Sequence, residues 1–355
     1  MTILDDDTLA LARLAWWLGP WSPRGARPAG VRRRALTLGA GGPSFLYQPT
    51  DRPARAAWLI SPGLHPDGPD DARMDRFAHV LAASGAVVLS PRSPALCELR
   101  LGPEVVRCLA GAADALTAEP AARDLPLRVA SVSVGSLAAL RLAAEPATAA
   151  RLDRLVVIGG YADPEALMAS LCGADPAPRD PLNQPAAFLT LLDHLPVAIH
   201  DRARLVAAWR WFVRTAWPRE AWKRPGSTAH HACARELTRE VDARDRELFL
   251  VGCGVVPGGH ALCRAALAAG PYAYLDPRPH LAGVRAEVTA IHGLTDTVIP
   301  IGQLDALVAA LPRVRAVRLG GFAHSRPVGA AELVRHLPRA ADEVRAFAAV
   351  LRAVA

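Results

Sequence analysis

An α/β protein built on a mainly parallel sheet, with helices on both faces and a helical insertion, is what this sequence predicts. Three observations lead there. Short apolar runs alternate with helical periodicity three times between about residues 55 and 160. The alternation stops from 164 to 284, where the chain reads as helical and irregular, and resumes at 285. The length of 355 residues, with 51% hydrophobic and 21% charged residues, suits a folded chain with a sizeable core.

In chain order, residues 1–30 form an N-terminal helical segment, "MTILDDDTLALARLAWWLGPW" being read as a short amphipathic helix packed on the body. "RRRALTL" and "SFLYQP", joined by "GAGGP", read as a hairpin. "RAAWLIS" is a buried strand ending in the loop "PGLHPDGPDD". A helix follows with Met74, Phe77, Val80 and Leu81 on one face and Asp70 or Asp71 as its cap. "AVVLSP" is the next strand, and Val105, Leu109, Ala112 and Leu116 mark the next helix. "LRVAS", "GSLAALRLAAEP" and "LDRLVVIGG" give strand, helix and strand. After the insertion come the strand in "RAEVTAIHGLTDTVIP", a helix around "LDALVAALP", the strand "VRAVRL", the loop "GGFAHSRP" and a last helix. The division is therefore 31–163 with 285–355 as the sheet domain, and 164–284 as the insertion.

The formal charge of +7 invites nucleic acid as a partner, but the basic residues are scattered. All but one of the 41 are arginine, Lys223 being the exception, and the densest run, Arg32-Arg33-Arg34, opens a strand. We expect no nucleic-acid partner. The apolar N-terminal patch follows acidic residues, is interrupted by Arg13 and is too short to span a bilayer, so a cytoplasmic location is expected. Contact with a membrane surface through Trp16, Trp17 and Trp21 is the weaker reading. The six cysteines include no CxxC pair and are read as reduced, mostly buried thiols. Cys253, His260 and Cys263, with His230, His231 and Cys233 upstream, match no zinc spacing, so no metal is expected there.

The chemistry is carried by "RVASVSVGSLAAL", residues 128–140, with three serines between a strand and a helix. A serine there is nucleophilic if the turn is tight enough to project its oxygen, and so tight a turn needs small residues two before and two after. Ser131 has Val129 and Ser133 at those places, and Ser136 has Val134 and Ala138. Ser133 alone qualifies, with Ser131 and Gly135, as a G-x-S-x-G elbow whose first glycine is serine.

A serine hydroxyl needs a base in hydrogen-bond reach and a carboxylate to orient that base. "HGLTDTVIP" puts Asp296 just past one strand, and "GGFAHSRP" puts His324 just past the next. With Ser133, each then lies at a strand's carboxyl end, on one edge of a parallel sheet. Asp163 also follows a strand and is the rival acid, although its place before Pro164 suits a helix cap. His292 is read as a core residue, His65 as a loop hydrogen-bonder, and Asp67, Asp70 and Asp71 as turn and cap residues.

On "SVSVG", "HGLTD" and "GFAHS" the chain resembles the α/β-hydrolase superfamily from about residue 31 to the C-terminus, the insertion apart. The resemblance implies Ser133 as nucleophile, His324 as general base and then acid, and Asp296 as the carboxylate that fixes the histidine tautomer. It implies a helical cap at 164–284. The amides of Val134 and of Leu64 or His65 would form the oxyanion hole, although the loop has Pro62-Gly63 where the family commonly has His-Gly. The function implied is a serine hydrolase (carboxylesterase-like) with no cofactor and no metal, acting on a small hydrophobic acyl substrate. The rivals are an acyltransferase using the same triad and a non-catalytic binding member of the fold. Trp209, Trp211, Trp217 and Trp222 are read as the insertion's own core or as an apolar lining of the pocket.

Overall fold

Eight strands make one sheet in the order β1-β2-β4-β3-β5-β6-β7-β8 in the computed structural model, which describes residues 6–355 apart from 20, 21, 23, 24, 40, 41, 174–177, 325 and 328–339. Helix α1 (Asp6–Leu18) leads into the hairpin β1 (Val31–Leu36) and β2 (Ser44–Pro49). Then β3 (Ala56–Ser61), α2 (Ala72–Ala83), β4 (Ala86–Ser90), α3 (Glu104–Ala118), β5 (Leu127–Val132), α4 (Ser136–Ala144) and β6 (Leu152–Ile158) alternate. Between β6 and β7 lie α5 (Pro164–Leu171), α6 (Gln184–Leu191), α7 (Arg202–Ala216), α8 (His231–Leu237), α9 (Arg246–Gly252) and α10 (Gly259–Ala269). Strand β7 (Glu287–Gly293), α11 (Gly302–Ala310), β8 (Val314–Leu319) and α12 (Ala340–Val354) complete the chain.

β1 and β2 pair antiparallel, β2 joins β4 antiparallel, and all pairings from β4 through β8 are parallel. The period of two in the strands sorts side chains between two cores. Ala57 and Leu59 of β3, with Val87 and Leu89 of β4, face α3, α4 and the region between β6 and β7. Ala56, Trp58, Ile60 and Val88 face α1, α2 and α12. Phe188, Trp209, Phe212 and Phe249 belong to the first core, so the inserted helices continue the hydrophobic layer on that face of the sheet. The charged strand β1 is stable because it is an edge: only one side is paired, and its arginines reach solvent.

Helix α2 starts at Asp71, whose carboxylate accepts from the amides of Arg73 and Met74, and Val80 and Leu81 on its apolar face are buried. Helix α1 docks with Leu14 buried and Trp17 against the second core, leaving Trp16 exposed; Trp21 lies outside the described residues. Among the described residues no helix is long and apolar enough to cross a membrane.

The chain passes from β3 outward to β4 and returns across β3 to β5, so the winding direction reverses between β3 and β5. A crevice opens beyond the strands' carboxyl ends at such a reversal, and the loops after β3 and β5 border it.

Candidate active site

Ser133 follows the last residue of β5 and stands at φ +57°, a left-handed conformation that costs a non-glycine residue about 1–2 kcal/mol. The turn is held by contacts that only small residues permit. A Cβ on Gly135 would fall 2.4 Å from the Pro62 carbonyl oxygen and 2.5 Å from that of Ser61. Ser61 Oγ donates to the Gly135 carbonyl at 2.8 Å, and Ser131, two before the elbow, is fully buried. Gly135 has φ −59°, so alanine suits its backbone and fails only on space. Gly135→Ala is therefore expected to destabilise by about 3 kcal/mol or more. Gly111→Ala, in helix α3 with nothing near its Cβ position, should be stabilising by about 0.5–1 kcal/mol. Urea unfolding of the two variants checks both signs.

His324 comes from the turn after β8, and its Nε2 lies 2.9 Å from Ser133 Oγ. Its Nδ1 lies 2.8 Å from Asp296 Oδ2. A carboxylate only accepts, so Nδ1 carries the proton and the neutral ring presents a lone pair to the Ser133 hydroxyl. The other oxygen, Asp296 Oδ1, accepts from the amides of Val298 and Ile299 at 2.8 and 2.9 Å. The carboxylate is fully buried. Burial alone would raise its pKa, but the charge and hydrogen bond of His324, the nearby His292 and the Ile299 amide together bring it below the usual value.

The strand order, the antiparallel β2, and an elbow after β5 facing an acid turn after β7 and a histidine turn after β8 are decisive together. The protein has the α/β-hydrolase fold. No protein-family model matches the sequence, and no curated protein does. Among solved structures, this α/β-hydrolase fold aligns with dienelactone hydrolase from Anabaena variabilis at 15% identity and a TM-score of 0.45, over 88% of this chain and 96% of that one. It aligns with 2-hydroxy-6-oxo-6-phenylhexa-2,4-dienoate hydrolase from Rhodococcus at 14% identity and a TM-score of 0.45, over 89% and 99%. It aligns with the esterase domain of a Rhodothermus marinus protein at 15% identity and a TM-score of 0.45, over 92% and 99%.

The loop after β3 of this α/β-hydrolase fold lies directly on the elbow. A Cβ on Gly63 would be 3.1 Å from Ser133 Cβ and 3.2 Å from the Val132 carbonyl oxygen. That close approach brings the next residue, Leu64, to the same crevice. Val134 is the second residue of the short 3-10 turn Ser133–Gly135, whose first amides have no acceptor within the helix. The His65 ring is taken up elsewhere: Nε2 lies 3.1 Å from Asp71 Oδ2, and Nδ1 accepts from the Asp67 amide. Trp217 stands 6.2 Å from that ring, centroid to centroid, donates its indole N–H to the Leu182 carbonyl and packs against the first core, so it lies between the loop and the insertion. Trp209 is buried in the core, Trp211 is exposed, and Trp222 lies beneath the Arg219 guanidinium.

Asp163 is not brought to the histidine. It caps α5, accepting from the amides of Glu165 and Ala166, and pairs with Arg278. His230, His231 and the cysteines form no metal cluster; among the described residues no group of three or more His, Cys, Asp or Glu could hold an ion.

Four residues of the site carry no local motif. Gly159, at the end of β6 with φ +57°, backs the pair: a Cβ there would be 3.4 Å from both Asp296 Oδ2 and His324 Nδ1. The two glycines closing "LDRLVVIGG" were the available signal. His292 donates Nε2–H to the Ile299 carbonyl at 2.8 Å and lies 3.5 Å from Asp296 Oδ2, so it braces the acid turn from behind. Glu343 of α12 accepts from the successive amides of Gly320 and Gly321 at 2.7 and 3.1 Å, fixing the turn that leads to His324. On the other side of that turn, a Cβ on Gly293 would meet the Phe322 carbonyl oxygen at 2.1 Å.

Asp180, in the insertion, is the fourth. Its amide donates to the Thr297 carbonyl at 2.8 Å, one residue from Asp296, and its Oδ1 accepts from the Leu182 amide. Burial pushes its carboxyl up to about 6 despite that amide, Lys223, Asn183 and His324. A carboxyl raised in the folded state binds its proton more tightly there than in the unfolded chain. Its contribution to stability is complete below about pH 4 and is lost as pH rises through 6. Asp180→Asn, which cannot ionise, should therefore stabilise by up to about 3 kcal/mol at pH 8 and change little at pH 4, read from unfolding midpoints at the two pH values.

Proposed function

We propose that the protein is a serine hydrolase that cleaves a carboxylic ester or related acyl bond through an acyl-enzyme. The observation that carries this reading is the relay Ser133 Oγ–His324 Nε2–Asp296, at 2.9 and 2.8 Å, with the serine held at positive φ on a strand-to-helix turn. Ser133 Oγ attacks the acyl carbonyl carbon as its proton passes to His324 Nε2. The carbonyl oxygen becomes an oxyanion, met by the Val134 amide and the amide of Leu64 or His65. The intermediate collapses, His324 gives its proton to the leaving alcohol oxygen, and the acyl group stays on Ser133. Water then attacks, His324 takes its proton, and a second collapse returns the free acid and the serine hydroxyl. Asp296 holds the imidazole orientation and offsets its positive charge in both halves.

The substrate we propose is a small to medium hydrophobic ester. Leu64, in the loop beside the elbow, and Trp217, near that loop's His65, are partly buried against the same apolar core and offer it non-polar surface. The proposed chemistry uses the chain's own side chains and amides, without a metal or organic cofactor.

The test is active-site labelling with a fluorophosphonate probe, followed by a series of p-nitrophenyl esters of increasing acyl length. Expected are a single modification at Ser133, weakened in His324→Ala, and a pre-steady-state burst with short esters. Folded protein that neither labels nor turns over any ester would overturn the reading. An acyl product formed only when an alcohol acceptor is added would replace hydrolysis with transfer.

A further inference from the structure

Two thiols outside the proposed triad lie in contact inside the insertion. Cys172, at the C-terminal end of α5, and Cys263, within α10, are 91 residues apart in the chain, and their sulfurs are 3.4 Å apart. Both are buried, Cys263 completely. The four remaining cysteines are also free thiols, and this is the only contact between sulfurs among the described residues. Helices α5 and α10 pack against each other, so the sulfurs are held together by the fold and not by a flexible loop.

We propose that Cys172 and Cys263 are a redox modification site that takes a low-molecular-weight disulfide as oxidant and closes to an intramolecular disulfide. The bond length is about 2.05 Å, so each sulfur moves by well under 1 Å from the present contact, within the reach of a small side-chain rotation. Cys172 is the attacking sulfur. The Arg179 guanidinium lies against its neighbours, donating to the Leu171 carbonyl at 2.8 Å, and a Cβ on Gly173 would be 2.6 Å from it. Cys263 is a poor attacker, its thiol pushed far up by the bond to Cys172 and by burial.

The Cys172 thiolate attacks one sulfur of glutathione disulfide, forming a mixed disulfide and releasing one glutathione thiolate. Cys263 then loses its proton and displaces the second glutathione, forming the protein disulfide. Two protein thiols are oxidised, one glutathione disulfide is reduced to two thiols, and no other reactant is consumed. Because both sulfurs are buried, exchange proceeds when α5 and α10 part or while the chain folds. The closed loop contains α6 to α9, so the bond would limit how far the inserted helices separate when they open.

The test is to refold the full chain in glutathione buffers of increasing oxidised fraction and map cysteine pairs by mass spectrometry without reduction. The expected result is a Cys172–Cys263 peptide pair that disappears with dithiothreitol, and a melting temperature about 5 °C higher in the oxidised protein. Cys172→Ala and Cys263→Ala should each remove the shift. Folded protein in which both thiols stay free in the most oxidising buffer, or in which either pairs with another cysteine, would overturn the proposal. The outcome is independent of the hydrolase reading, since neither thiol belongs to the proposed triad.

Discussion

Ser133→Ala is expected to lose ester hydrolysis by about 10⁶-fold in kcat while folding normally. The side-chain oxygen makes its hydrogen bond to His324, and the methyl group that replaces it occupies space the serine already fills. The strain at φ +57° remains in the alanine variant, so its melting temperature should stay close to that of the natural protein. Ser133→Gly removes the same oxygen and also the Cβ that makes this conformation unfavourable. It should be equally inactive yet more stable than Ser133→Ala by about 1 kcal/mol. Initial rates on a p-nitrophenyl ester and thermal unfolding of both variants make the measurement. Activity of Ser133→Ala within tenfold of the natural protein would remove Ser133 as the nucleophile.

Asp296→Asn is expected to lower kcat by about 10⁴-fold with little change in ester binding. The argument rests on both oxygens. Oδ1 is held by the amides of Val298 and Ile299, and an asparagine must keep its carbonyl oxygen there. Its amino group then falls at the position of Oδ2, facing His324 Nδ1. Nδ1 has to accept, the proton moves to Nε2, and the ring offers Ser133 a donor in place of a base. The same substitution changes the pH dependence of stability. Asp296 is held below its unfolded value, so its contribution is present above about pH 3.9 and is lost as pH falls through the folded value. The stability gap between the natural protein and Asp296→Asn should thus be wider at pH 7 than at pH 3. A gap that is the same at both would contradict the charge pairing.

The sheet was legible because each buried strand announces itself by a short apolar run, and each following helix by its own period. Ser133 was legible because steric demands in a tight turn act on neighbours two residues away, and these can be read off directly. Asp296 and His324 needed one further step, that parallel strands share a common edge. What escaped is long-range. Glu343 is one of two acidic residues in the first turn of an amphipathic helix, and nothing nearby marks it as the acceptor for Gly320 and Gly321. Asp180 lies in an irregular stretch, and its burial beside Thr297 depends on how the insertion folds back over the sheet. Gly159 was visible only as a glycine at a strand end, a position glycine takes for many reasons. The charged strand β1 was read two residues too long: Thr37 and Leu38 continue the pattern, but pairing ends at Leu36 opposite Ser44.

Helix α12 joins the far end of the chain to the proposed base. Arg128 and Arg154 hold its last carbonyls, at Ala355 and at Arg352 and Ala353, while Glu343 near its start holds the turn before His324. A helix packed on the outside of a sheet can open locally while the central strands stay folded. Partial release of this helix would free the histidine turn and leave the Ser133 elbow, built on central strands, intact. The proposed triad is therefore only as durable as this helix, and its release is expected to disrupt the proposed site before the sheet gives way.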